Sequence, residues 1–382
     1  MKQRRKINIK INPMIKRSAA AIMTLIFFVT IFSNRRLIAK PLSEITDKIG
    51  SLAVAIAMPE GSLTDGASDS AGYDITEPEM SDSVDSTANN TAPTASKTTQ
   101  KATEKTERAI AANSDYSGKI SAETIGYSGA NLSVSNLHVQ NNTGLNVDLS
   151  KQLKILPDIA IYKNRGKEKP QVLIIHTHAT ECYYPERSGG YKSSWPTKST
   201  DDKKNMISVG NEFARVLNDA GISTIHDTTQ YDKEAYSGSY ERARVKTKEW
   251  LKKYPSIDVV IDLHRDSITY DSGTKLRPEV TVNGKSAAQI MICTGSNSGK
   301  VEGYDNWLSN FRFAIRLQQS CEKKYKNLAR PLYFVSKKYN HDLCNGSLLI
   351  EVGSEANTLE QAKYSARLTA LAMIDALKPV TK

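Results

Sequence analysis

Cysteine is scarce and poorly spaced for metal binding. Cys182, Cys293, Cys321 and Cys344 are the only four in 382 residues, and no two form a CxxC pair. That spacing excludes a zinc finger or a thioredoxin-like redox motif. It also favours no disulfide connectivity, and Cys293 and Cys321 lie in apolar segments where a thiol packs as a small hydrophobe. Acidic residues are missing from the first forty positions, which hold ten Lys and Arg (Lys2, Arg4, Arg5, Lys6, Lys10, Lys16, Arg17, Arg35, Arg36, Lys40) against a net charge of +11 for the whole chain. The remainder is close to balanced and has few aromatics beside its basic residues, so a nucleic-acid-binding composition is absent. Large apolar side chains are nearly lacking from about Pro59 to Ser114, where Ser, Thr, Ala, Asp and Asn dominate. Such a stretch cannot bury enough apolar area to offset its ordering entropy, and it reads as a flexible tether. Within it, Asn89-Asn90-Thr91 has the form of a glycosylation acceptor. There are no internal repeats.

What is present begins with Ser18 to Asn34, an uncharged run containing Ile22, Leu25, Ile26, Phe27, Phe28, Val29, Ile31 and Phe32. As a helix this run spans about 25 Å, the lower limit for crossing a bilayer. Positive charges flank it mostly on the N-terminal side, which predicts a cytoplasmic N-terminus and an extracytoplasmic remainder. The competing reading is a cleaved signal peptide. Against that, Arg35 and Arg36 stand where small residues would be needed, and Ala53-Val54-Ala55-Ile56-Ala57 comes late. The expected organisation is a basic segment over 1–17, a single-pass membrane anchor over 18–34, a linker over 35–116, a small lead-in over 117–165 and a catalytic domain over 166–382. That last part is large enough to bury a core of its own.

The C-terminal part alternates strand and helix signals. Val172-Leu173-Ile174-Ile175 is a continuous apolar run, as expected of a strand buried on both faces. Further strands are expected at Ile222 to Ile225, Val259 to Leu263, Ala288 to Cys293, Leu332 to Val335 and Ser347 to Ile350. Helices are expected from Asn205 to Ala220, Tyr240 to Lys253 and Asn306 to Tyr325. A last helix is opened by the capping box of Thr358 and Gln361 and runs to Leu377. This alternation predicts an α/β fold with a mostly parallel sheet flanked by helices.

Three of those strands end in polar residues of one chemical kind. The first runs into His176-Thr177-His178-Ala179-Thr180-Glu181, another into His264-Arg265-Asp266, and the last into Glu351-Val352-Gly353. Ligands of open α/β sheets bind at the carboxyl ends of the strands, so these residues can meet although they are far apart in sequence. Imidazole and carboxylate suit zinc, whose catalytic sites keep three protein ligands and one open position. His178 and His264 supply two ligands; Glu181 is the leading third, with Asp201 and Asp202 as alternatives. Glu351 is the expected general base and acid of a hydrolase, and Arg265 and Asp266 are expected to hold ligands or substrate. His176 is either a further ligand or a neighbour. His138, His226 and His341 read as structural or surface residues, and Cys182 beside the histidines raises a Cys/His nucleophile as a rival. The Asp-rich ligand sets of phosphoesterases are absent.

The segments VLIIHTHATECYYPE, SYERARVKTKEWLKKYPSIDVVIDLHRDSI and SLLIEVGSEANT, with VGNEFARVLNDAGISTIHDTT between the first two, resemble the stage II sporulation protein P family of endospore-forming bacteria. The likeness covers roughly Pro170 to Leu377. It implies an amidase-like fold related to the zinc-dependent N-acetylmuramoyl-L-alanine amidases. By motif, His178, His264 and Glu351 fall at the first His, the second His and the catalytic Glu. It implies amidase and endopeptidase activity on peptidoglycan at the sporulation septum during engulfment. The partners it implies are a SpoIID-like lytic transglycosylase and a SpoIIM-like membrane protein. The glycine-rich DPGHGG-type turn of the amidases is replaced here by HTHATE, which leaves the middle carboxylate open. The rival of a different class is a catalytically inactive, membrane-tethered cell-wall scaffold.

Overall fold

The computed structural model describes residues 115–382, so the expected basic segment, membrane anchor, glycosylation acceptor and nearly all of the linker lie outside the described residues. Among the described residues no helix is long and apolar enough to cross a membrane. The strands are β1 (Gly118–Glu123), β2 (Leu132–Val134), β3 (Leu137–Asn141), β4 (Val172–Ile175), β5 (Gly190–Tyr191), β6 (Thr224–His226), β7 (Val259–Asp266), β8 (Lys275–Val282), β9 (Lys285–Ala288), β10 (Ile290–Gly295), β11 (Leu332–Val335) and β12 (Gly346–Ser354). The α-helices are α1 (Leu149–Lys154), α2 (Met206–Asp219), α3 (Ser239–Lys253), α4 (Trp307–Lys324) and α5 (Leu359–Leu377).

Eight strands form one sheet in the order β2-β3-β11-β10-β12-β7-β4-β6, and four form a second in the order β5-β1-β8-β9. Residues 117–165 supply β1 to the second sheet and β2 and β3 to the first, where β3 runs parallel to β11. Both sheets are mixed: five of the seven pairings in the eight-stranded sheet are parallel, whereas two of the three in the four-stranded sheet are antiparallel, which corrects the expectation of one mostly parallel sheet. In the eight-stranded sheet β10 runs antiparallel to β12 although β12, β7, β4 and β6 are mutually parallel. The reason lies in the connection. Parallel neighbours need a long crossover, usually a helix, and between β7 and β10 the chain makes the β8–β9 hairpin and no helix. The hairpin had a readable signal: Asn283-Gly284 sits between the strands with both residues at positive φ.

Alternation along the central strands divides the core. Val172 and Ile174 of β4, Val259, Ile261 and Leu263 of β7, and Leu348, Ile350 and Val352 of β12 pack with Phe213 and Leu217 of α2, Phe311 of α4 and Met373 of α5. Fully burying one such side chain contributes about 1.5–3 kcal/mol. The opposite face, with Leu173, Ile175 and Val260, packs against Trp250 and Leu251 of α3. Asp262, His264 and Asp266 of β7 and Glu351 of β12 have the parity of this α3 face. Caps are explicit: Asn205 accepts from Ile207 N to open α2, and Thr358 with Gln361 completes the capping box of α5.

Register places chemistry. In the parallel β7–β12 pair Glu351 lies opposite His264, and the pairing shifts between Glu351 and Ser354. Gly353 occupies that irregularity at φ +71°, where an added Cβ would meet Asn357 Oδ1 at 2.5 Å and Ala288 Cβ at 2.8 Å. A Gly353→Ala substitution should therefore destabilise the fold by about 1–3 kcal/mol. Urea unfolding is the measurement, and an unchanged midpoint would contradict the role given to this glycine.

Candidate metal centre

His178 and Glu181 lie on a turn that follows β4 and is held by two aspartates from elsewhere in the fold. Asp262 of β7 accepts from Thr177 N (2.8 Å) and Thr177 Oγ1 (2.6 Å). Asp232 accepts from Thr180 N (3.1 Å) and Thr180 Oγ1 (2.5 Å). With both threonines anchored, His178 and Glu181 project toward the end of β7. There His264 faces Glu181, Nδ1 to Oε2 at 3.7 Å, while His178 Nδ1 lies 3.9 Å from Glu181 Oε1. One ligand atom from each of His178, Glu181 and His264 falls within 4.8 Å of the others. This is the only such group of three among the described residues.

Each of the three side chains is buried, with both imidazoles wholly inaccessible. The Nδ1 atoms of His178 and His264 have no hydrogen-bond partner, although buried polar atoms are normally satisfied. Two orphaned imidazole nitrogens beside one carboxylate form the donor set of a catalytic zinc site, so the residues present fit the ion. Burial, with the His264 imidazole adding to it, pulls His178 down to about 2, leaving that ring neutral as a ligand must be. Burial also pulls on His264, but the Asp262 carboxylate outweighs it and lifts the ring to about 10. A cation taking its Nδ1 would therefore displace a proton. Burial raises Glu181, with the Arg265 guanidinium opposing.

Glu351 stands on the strand beside His264, buried, with Oε2 unpartnered. Burial, with the Asp266 carboxylate adding to it, holds Glu351 well above the usual carboxylate range. Asp266 pairs with Arg330 Nη1 at 2.9 Å, both side chains being buried. Arg265 works on the loops: its backbone N donates to Glu181 Oε2 (3.2 Å), its Nε to Cys182 O (3.0 Å) and its Nη2 to Thr197 O (2.7 Å). It thus holds the ligand-bearing segment.

Other residues singled out in the sequence lie elsewhere. Asp201 and Asp202 are exposed, the first accepting from Lys203 N and the second from Gln230 Nε2. His176 Nδ1 contacts Leu263 O and its Nε2 contacts His226 Nε2 at 2.7 Å, so it joins a separate pair packed against Gly210 of α2. The four cysteines are free and buried. Cys182 donates to Pro196 O, and burial raises its thiol, the opposite of an activated nucleophile.

Five contributors escaped sequence reasoning: Asp262, Asp232, Ser239, Arg330 and Tyr236. Asp262 carried a signal, being a carboxylate inside the apolar run VVIDL, where burial is costly without partners. Ser239, the first residue of α3, contacts His178 Nε2 at 2.9 Å. The Tyr236 ring stacks on His178 at 4.1 Å between centroids, and Lys198 Nζ lies 4.2 Å from the Tyr236 ring centre.

The family model described as Stage II sporulation protein P (SpoIIP) matches residues 56–374. The chain belongs to the stage II sporulation protein P family. A curated member, Stage II sporulation protein P of Bacillus subtilis (strain 168), is 30% identical over 219 residues, covering 54% of this chain and 51% of that protein. The chain thus matches about half the length of that relative. Among solved structures, N-acetylmuramoyl-L-alanine amidase AmiC2 of Nostoc punctiforme is similar with a TM-score of 0.34 and 14% identity, over 56% of this chain and 98% of that one. The CwlD amidase from Clostridioides difficile, solved in complex with the GerS lipoprotein, gives 0.33 and 10% over 55% and 98%.

Two outcomes follow from this geometry. Glu181→Ala should weaken zinc uptake by at least about 10-fold, in line with loss of one of three protein ligands, while Asp201→Ala and Asp202→Ala bind as the unaltered chain does. Equilibrium dialysis with metal analysis separates them. Tyr236→Ala uncovers one face of the His178 ring and should speed modification of that histidine by diethylpyrocarbonate, read by peptide mass mapping.

Proposed function

We propose that this chain is a zinc-dependent peptidoglycan hydrolase, an amidase that frees stem peptides from glycan and an endopeptidase that cuts cross-links. On this reading it is tethered by its N-terminal segment to the cell membrane and works outside the cytoplasm on the septal wall during engulfment. SpoIID-like and SpoIIM-like proteins are its partners there. The observation that carries the reading is the convergence of His178, Glu181 and His264, with both imidazoles turning Nδ1 toward the Glu181 carboxylate and Glu351 on the adjacent strand opposite His264. Membership of the sporulation family supports the substrate and the setting.

His178, Glu181 and His264 would hold the zinc, which when bound would supply polarisation of the scissile carbonyl and a lowered pKa for water. The remaining work falls to the chain. Glu351, with its unpartnered Oε2, takes a proton from the attacking water as the oxygen bonds to the carbonyl carbon. It then gives that proton to the amide nitrogen as the C–N bond breaks. Its environment suits both duties, since burial and Asp266 favour the protonated form while His264 and Arg330 favour the ionised one. Tyr236 and the loop bearing Lys198 exclude water from the His178 side.

The decisive experiment is release of label from purified sacculi by the full-length chain, with and without chelator, and by Glu351→Ala. Chelation and Glu351→Ala should each reduce release by about 100-fold or more, the range of a lost general base, and zinc should restore the chelated sample. Equal release from all samples would sink the hydrolase reading and favour the scaffold.

A further inference from the structure

A histidine can present either ring nitrogen to a cation, and the choice is made by what the other nitrogen touches. In this centre both imidazoles turn Nδ1 toward Glu181, yet their outer nitrogens meet unlike partners. His264 Nε2 lies 2.9 Å from Asp262 Oδ1. His178 Nε2 lies 2.9 Å from Ser239 Oγ. The contact is an ion-pair approach and not a directed hydrogen bond; a carboxylate can only accept, so its charge at that distance favours a proton on His264 Nε2 and leaves the Nδ1 lone pair for the centre. A hydroxyl can donate or accept, so Ser239 satisfies His178 in either tautomer.

Asp262 is also fixed. It is buried in the middle of β7, and its two oxygens take the backbone N and the hydroxyl of Thr177 at 2.8 and 2.6 Å. Thr177 immediately precedes His178. One carboxylate thus spans β4 and β7, holding one ligand by its ring and the other by its chain neighbour. Its polar contacts are two hydrogen bonds from the neighbour of one ligand and an ion-pair approach to another.

We infer that Asp262 is the positioning residue of the centre: it commits His264 to ligation through Nδ1 and, through Thr177, fixes the turn that presents His178 and Glu181. This rests on the zinc-binding part of the proposed function and is independent of the substrate. Removing it should cost metal affinity out of proportion to stability, because the ligands remain but their orientation is lost. Partners of this kind are worth about 10- to 100-fold in metal affinity.

The test measures zinc dissociation constants for the full-length chain and its variants by competition with a chromophoric chelator. Asp262→Asn keeps size and shape and should weaken zinc about 10- to 100-fold. Thr177→Val, which keeps the carboxylate but removes one of its tethers, should give a smaller loss in the same direction, and Ser239→Ala the smallest. Nitrogen-15 spectra of histidine-labelled, zinc-loaded protein supply a readout that a purely structural role would not move. The unaltered chain should show His264 bound through Nδ1 with a proton on Nε2, and Asp262→Asn should lose that signature. Thermal unfolding of the metal-free variants checks that the fold survives. If Asp262→Asn fails to fold, Thr177→Val decides: weaker zinc upholds the inference and unchanged zinc overturns it. An Asp262→Asn chain that folds, binds zinc as tightly as the unaltered chain and keeps the His264 signature also overturns it. If the unaltered chain itself binds no zinc, the metal reading fails, an outcome distinct from either.

Discussion

The structure depends most on how it handles charge withdrawn from water. His178, Glu181, Asp262, His264, Arg265, Asp266, Arg330 and Glu351 are all buried at one end of one sheet. An isolated ion there costs several kcal/mol. Two opposite charges about 4 Å apart recover roughly 4 kcal/mol at an effective dielectric near 20. The group is therefore tolerable only as a set of short, directed pairs. The chain provides Asp262 beside His264 and Asp266 with Arg330, while the Arg265 guanidinium donates to the carbonyls of Cys182 and Thr197 and its backbone N donates to Glu181. Pairing is incomplete: the Nδ1 atoms of His178 and His264 and Glu351 Oε2 have no hydrogen-bond partner, and neither do His264 Nε2 or Nε and Nη2 of Arg330. The two Nδ1 atoms differ from the rest in lying beside the Glu181 carboxylate, where a cation could use them.

That pattern explains why part of the site was legible in the sequence. A strand buried on both faces must be apolar, so the residue at which the apolar run stops is visible, and His178, His264 and Glu351 each follow such a stop. Glu181 was legible by proximity, three residues past His178 on the same turn. The partners were not legible because they are supplied across the fold. Asp232 and Tyr236 come from the segment between β6 and α3, Ser239 from the first position of α3, and Arg330 from just before β11, which two strands separate from β7 in the sheet order. No spacing rule connects those positions. The parallel-sheet expectation missed the antiparallel β10–β12 pairing and the second, mixed sheet. No helix was expected between Leu263 and Ala288, and the β8–β9 hairpin that fills that passage returns the chain in the opposite direction.

The HTHATE turn after β4 contains no glycine, and its two threonines are pinned by Asp262 and Asp232. Side-chain hydrogen bonds from other strands and loops do the shaping, so the geometry of this turn is tied to the rest of the fold rather than intrinsic to the segment.

This coupling bears on access to the centre. The imidazoles are fully covered, His178 by the stacked Tyr236 ring with the Lys198 ammonium over it. Tyr236 belongs to a loop whose carbonyls at Tyr231, Ala235 and Ser237 all accept from Arg242 of α3. The same loop contributes Asp232, which holds Thr180 of the ligand turn. Cover and ligand turn are therefore mechanically linked. The Asp262–Thr177 contacts come from the sheet and not from the loop. One half of the turn is therefore anchored to β-structure, beside His264, and the other to the covering loop, so the two halves depend on different parts of the fold.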